Sequence, residues 1–137
     1  MAGECCFMDA PQYLIRVTAE GVREAVAVPA GDIPQEMPAA LLDTDVTERL
    51  RIPFRPDALT GERLLCYLID ARSGDRGLPV NRIGTCFYLT GCPVCGDLLI
   101  GCCSDDPAQT AFFGFSEDEK NLLLRWLDEQ FPTEDML

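Results

Sequence analysis

Residues 80–104 read VNRIGTCFYLTGCPVCGDLLIGCCS, and they hold five of the eight cysteines and four of the eleven glycines. The last part, 97–103 (DLLIGCC), is the most apolar strand candidate in the chain and defines where a core must form. Before it, residues 91–96 form a glycine-bounded turn, and 83–89 fit a helix or a strand equally well. The Cys92-Pro93-Val94-Cys95-Gly96 run has the form of one zinc knuckle, in which two thiolates on a tight turn meet one ion. A closed site needs two further ligands. Cys102 and Cys103 are not convenient ones: an extended strand at about 3.3 Å per residue carries Cys102 roughly 20 Å from the knuckle. Consecutive strand residues also point to opposite faces. Cys86, Cys5, Cys6 or another chain would have to complete the site, so the expectation is a ligand-free turn, with Cys92 and Cys95 the candidate metal ligands. Zinc is the one cofactor left open. A redox pair would sit at a helix N-terminus to depress a thiol pKa, whereas this pair precedes a strand.

Working toward the N-terminus, 64–69 (LLCYLI) is a continuous apolar run suited to a central strand buried on both faces, with Cys66 in the core. Residues 70–77 (DARSGDRG) form a polar loop. Its arginines, Arg72 and Arg76, together with Asn81 and Arg82, could hold an anion, but Asp70 and Asp75 lie among them and local pairing is expected. Residues 47–54 (TERLRIPF) alternate as a third strand whose Arg49/Arg51 face is expected to be solvated. Residues 29–38, with three prolines, read as a loop, and 39–42 as one helical turn. Residues 13–19 and 22–28 read as a hairpin turned at Glu20-Gly21.

Toward the C-terminus the clearest helix begins at Ser116, with Glu119 completing an S-x-x-E capping box. Leu123, Trp126, Leu127 and Phe131, with Leu122 beside them, make its apolar face, and Pro132 ends it. The opposite face, with Asp118, Arg125, Asp128 and Glu129, is mainly acidic and is expected to be exposed.

Composition bounds the function. The chain has 137 residues, no histidine and a formal net charge of −12. That length is enough to bury roughly two thirds of the unfolded chain's surface. The missing histidine removes Ser-His and Cys-His nucleophile pairs and mixed Cys/His zinc sites. Catalysis would have to rest on Cys, carboxylates, Lys120 or Tyr, and no enzyme is expected. No apolar run approaches the roughly 18 residues of a membrane span. The acidic N-terminus is unlike a secretory signal, so a cytoplasmic protein with reduced thiols is expected. From Asp97 onward ten acidic residues face only Lys120 and Arg125. Such a surface repels nucleic acid and anionic lipid and favours a partner with a basic surface. The charge also exceeds the magnitude of about 2 to 8 that solubility asks of a small domain.

The order of features, and above all Leu78-Pro79-Val80-Asn81-Arg82 and Gly96-Asp97-Leu98-Leu99-Ile100-Gly101, resembles a family of short domains of unknown function found in bacteriophage and mobile-element proteins. The resemblance covers roughly residues 13–131. It implies a small α+β fold and a phage or mobile-element origin, and it supplies no catalytic residues. The CPVC turn before GDLLIG departs from that pattern.

The sequence therefore predicts an N-terminal segment, 1–12, and a single α+β domain, 13–137, with a mainly antiparallel sheet of four to six strands and a C-terminal amphipathic helix packed on it. The expected function is that of a non-enzymatic inhibitor. A mobile element would use the acidic surface to block a host defence protein that binds nucleic acid, such as a CRISPR effector or restriction enzyme. Its partner-binding residues would be Asp105, Asp106, Glu117, Asp118, Asp128, Glu129, Glu134 and Asp135. Two alternatives stand beside it: a module binding a nucleotide or phosphorylated signal through Arg72, Arg76, Asn81 and Arg82, and a structural zinc protein.

Overall fold

The computed structural model describes residues 11–34, 36–52, 63–73, 75–87, 93–104 and 111–131. Its central strand is β5, Leu98–Ser104. One edge of β5 pairs antiparallel along its whole length with β4, Arg63–Asp70, from Arg63↔Ser104 to Ile69↔Leu98. The other edge is shared. β1, Gln12–Val17, takes the first part (Ile15↔Ile100 to Val17↔Leu98), and the two-residue β6, Phe112–Phe113, takes the second (Cys102↔Phe113). β2, Arg23–Val28, flanks β1, and β3, Thr47–Ile52, flanks β4. The path is β2-β1-β5-β4-β3 with β6 beside β5, all antiparallel. This six-stranded sheet with its packed helices is the α+β single domain expected from the sequence.

Both faces of the sheet are covered, which explains why LLCYLI is apolar throughout. On one face Ile15, Tyr67, Leu98 and Ile100 pack against Leu123 and Leu127 of α3, Glu117–Gln130. Each buried leucine contributes about 1.5–3 kcal/mol. On the other face Leu14, Cys66, Leu68 and Leu99 pack against Ile33 and Leu42, with Met37 and Leu41 beside them. The vicinal cysteines divide as strand geometry requires, Cys102 into the first core and Cys103 into the second.

The second cover extends the helical turn read at 39–42 back to Glu36, so that only 29–34 of the expected loop is one. A helix, α1, runs over Glu36–Leu41 with Pro38 buried in its first turn. Proline is tolerated there because its missing N–H would find no intrahelical acceptor. The helix ends in a Schellman arrangement: the Thr44 N–H donates to the Ala39 carbonyl (3.0 Å) and the Asp43 N–H to the Ala40 carbonyl (3.2 Å). Asp43, at φ 55°, stands where glycine is usual. On β3 the half-buried Arg49 has its guanidinium 5.5 Å from the Phe112 ring centroid, at the border of the second core.

The segment that fitted helix or strand is a helix, α2, Arg82–Phe87; residues 88–89 lie outside the described ones. At α3 the capping box forms as read. The Glu119 N–H donates to Ser116 Oγ (3.2 Å) and the Ser116 N–H to Glu119 Oε1 (2.9 Å). Leu122, read as part of the apolar face, is instead 45% exposed. The join of β1 and β6 needs a glycine: a Cβ on Gly114 would lie 2.6 Å from the Tyr13 carbonyl oxygen. That space lets Tyr13 and Phe115 exchange backbone hydrogen bonds at 2.8 and 2.7 Å.

Candidate functional site

The segments 78–82 and 94–98 lock into each other. Asn81 caps α2, its Oδ1 accepting from the Gly84 N–H at 3.0 Å. Its amide nitrogen donates to the Val17 carbonyl (3.0 Å) and the Gly96 carbonyl (2.9 Å). The Asn81 backbone N–H donates to the Val94 carbonyl (2.7 Å), and the Gly96 N–H to the Pro79 carbonyl (2.7 Å). Thr85 Oγ1 donates to the Asn81 carbonyl (2.8 Å) and accepts from the Val94 N–H (2.9 Å). Gly84 is small because Leu98 lies against it, 2.4 Å from where a Cβ would stand. Asn81 is 0% exposed. Its polar side-chain atoms tie α2, β1 and the start of β5 together, and it lines the cleft that also holds Arg82.

The other arginines of the proposed anion site separate. Arg72 and Arg76 line an open depression of about 580 Å³ with Asp43, Thr44 and Asp45. Its hub is Asp70, only 3% exposed at the end of β4. The Asp70 carboxylate accepts from the Thr44 hydroxyl and the Arg72 N–H, both at 2.9 Å, and from the Arg76 guanidinium. Burial pulls its pKa up. The hydrogen bonds from Arg72, Thr44 and Arg76, with the Arg76 charge, outweigh that and hold it below the ordinary 3.8. Arg76 also donates to the Asp43 carbonyl at 3.2 Å, and Arg72 stands 3.8 Å from Asp45. Local pairing therefore occupies these arginines, as expected, and Asp70 was named only as their neighbour. The sign that marks it is an aspartate ending a buried strand and opening an arginine-bearing turn.

Arg82 lies elsewhere, in a cleft of about 640 Å³ between the β1–β2 turn, α2 and the end of α3. Cys86, Val22, Ile83 and Phe131 share its wall, as do Arg23 and Asp128. Sequence reading missed Arg23. Its side chain is 7% exposed and donates to Asp128 Oδ1 (2.6 Å), to the Phe131 carbonyl (2.9 Å) and to the Gly21 carbonyl (3.1 Å). One guanidinium thus joins the hairpin to the C-terminal end of α3, where a cation complements the helix dipole. Asp128 is in part a structural anion.

Of the remaining partner-binding candidates, Glu117, Asp118 and Glu129 are exposed on α3. Asp105, Asp106, Glu134 and Asp135 lie outside the described residues, as does Cys92. Cys95 is a half-buried thiol in a bridge with Val80, and Cys86 is an exposed one. Among the described residues no cluster of three or more Cys, Asp or Glu is arranged to hold a metal ion. Burial pushes the Tyr67 phenol far above its usual range, with Cys86 adding to the rise, so Tyr67 stays protonated at neutral pH. The Lys120 ammonium lies 4.7 Å from the Tyr13 ring centroid. Among the described residues no helix is long and apolar enough to cross a membrane. No protein-family model, curated protein or solved structure matches the chain.

Proposed function

We propose that this chain is a non-enzymatic interaction protein that presents the acidic outer face of α3 to a basic surface on a protein partner. The observation that carries the reading is the placement of Glu117, Asp118 and Glu129, all exposed on a helix whose opposite face is sunk in the core, in a chain of net charge −12. Asp128 adds to this face while bound to Arg23. The partner we favour is a host defence protein that binds nucleic acid, a CRISPR effector or a restriction enzyme, because its nucleic-acid groove is a basic surface and such carboxylates imitate the phosphates it binds. The resemblance to phage and mobile-element domains points the same way.

The test is binding of the purified chain to candidate effectors across ionic strength. We expect affinity to fall about tenfold or more between low and roughly 0.5 M salt. The Asp118→Lys/Glu129→Lys variant should weaken binding by a similar factor. Affinity indifferent to both would remove the reading.

The cleft at Arg82 supports a second reading, a small-molecule module. Its volume lies within the roughly 300–1,000 Å³ of ligand sites. A nucleotide or phosphorylated signal that raises the Tm of the native chain, and not of an Arg82→Ala variant, would favour that reading over the first.

A further inference from the structure

The two outer strands of the sheet are finished differently. β3 carries Glu48, Arg49 and Arg51, charges of the kind that keep a bare edge from pairing with another chain. β2 (REAVAV) carries charge only at its start, Arg23 and Glu24; its remaining residues, 25–28, have no charge and no proline, and its register with β1 is unbroken from Gln12↔Val28 to Val17↔Arg23. The Thr18 N–H donates to the Val22 carbonyl at 2.9 Å, which sets the phase of the ladder. In that phase Glu24, Val26 and Val28 direct their backbone groups to β1, and Arg23, Ala25 and Ala27 direct theirs outward. Ala25 and Ala27 are exposed and present only methyl groups to an approaching strand.

The charge around this edge selects its occupant. Glu20 in the turn, Glu24 on the strand and Asp128 on α3 are all exposed. Arg23 pairs with Asp128, and Arg16 with Asp97 at 3.1 Å and Glu24 at 3.9 Å, while Arg82 shares the cleft of Glu20 and Arg23, so four carboxylates (Glu20, Glu24, Asp97 and Asp128) stand against three guanidiniums. A second copy of the chain would bring these same carboxylates against themselves, whereas an extended basic segment would be attracted to them. We propose that the β2 edge takes up a lysine- or arginine-bearing extended segment of the partner as an added strand, an inference that rests on the protein-partner reading above. Main-chain hydrogen bonds to residues 23, 25 and 27 would hold the segment, and the carboxylates on either side would select for positive charge.

The test follows amide exchange in the full chain with a capped peptide of alternating valine and lysine, about nine residues long, and with its glutamate counterpart. We expect the lysine peptide to slow exchange at Ala25 and Ala27 by about tenfold or more, and the glutamate peptide to leave it unchanged. Ala25→Pro removes an outward N–H at an edge position where proline is tolerated, and should weaken the lysine peptide about tenfold. The Ala25→Arg/Ala27→Arg variant keeps every backbone group and should exchange preference for the lysine peptide for preference for the glutamate one. Protection at β3 instead of β2, equal binding of both peptides, or unaltered lysine-peptide binding by the double variant would overturn the proposal. So would amides at 25 and 27 already protected in a particle of doubled mass, which would make a second copy the occupant. If charge reversal on α3 abolishes partner binding while the lysine peptide leaves the β2 amides unprotected, the acidic-face reading stands and the added strand falls.

Discussion

At Asp70 a carboxylate almost out of water is kept ionised by Arg72, Thr44 and Arg76 acting together. Its pKa is depressed in the folded state, so its contribution is complete above the ordinary value of 3.8 and is lost as pH falls through the lower folded one. Asp70→Asn should cost about 1–3 kcal/mol at pH 7, measured by urea unfolding. The variant's stability should change less than the wild type's as pH is lowered through that acid window, with Asp43, Asp45, Arg72 and Arg76 the charges facing the site. Asn81→Ala should cost about 2–4 kcal/mol, since it removes a cap and strands two buried carbonyls. The two residues differ in how far the sequence discloses them. Asp70 sits beside the arginines it pairs with, so pairing was legible. Asn81 binds carbonyls at Val17 and Gly96, and no local spacing announces a partner 64 residues away.

Among the elements, those defined by their own residues were readable and those defined by contact were not. The Ser116 capping box, the β5 and β4 runs and the first hairpin all follow from local pattern. Ser116→Ala should cost about 1 kcal/mol, and Leu127→Ala about 2–5 kcal/mol, read from the shift in urea midpoint. Only the second half of α1 was legible, as the turn at 39–42; its start was hidden by Pro38, which suggests a loop until its place in the first turn is known. Leu122 was assigned to the buried face because leucine is apolar, yet the width of that face depends on how α3 lies on β1 and β2. Gly114→Ala tests a contact of the same sort. The new methyl would press on the Tyr13 backbone, which cannot rotate away as a side chain can, and a loss of about 1–3 kcal/mol is expected.

For the molecule as a whole, net charge dominates. With −12 on a small domain, self-repulsion opposes the compact state, and screening should relieve it. We expect Tm to rise by a few degrees between about 0.02 and 0.3 M salt. A fall would mean that internal pairs such as Arg23–Asp128 and Arg76–Asp70 outweigh the repulsion. The candidate sites were least legible at this scale. Arg72, Arg76, Asn81 and Arg82 lie within eleven consecutive positions, yet the fold sends the first two to one depression and the last two to another.

The split edge of β5 also governs the order of events during synthesis. β1 and β2 leave the ribosome early, and β3 and β4 follow, yet neither pair can close a core, because the strand that joins them begins only at Leu98. At about 5–20 residues per second, the first hairpin waits several seconds for its neighbour. Nascent chains stalled before β5 emerges should therefore be cut readily by protease, and resistance should appear in one step once β5, β6 and α3 are all outside the tunnel.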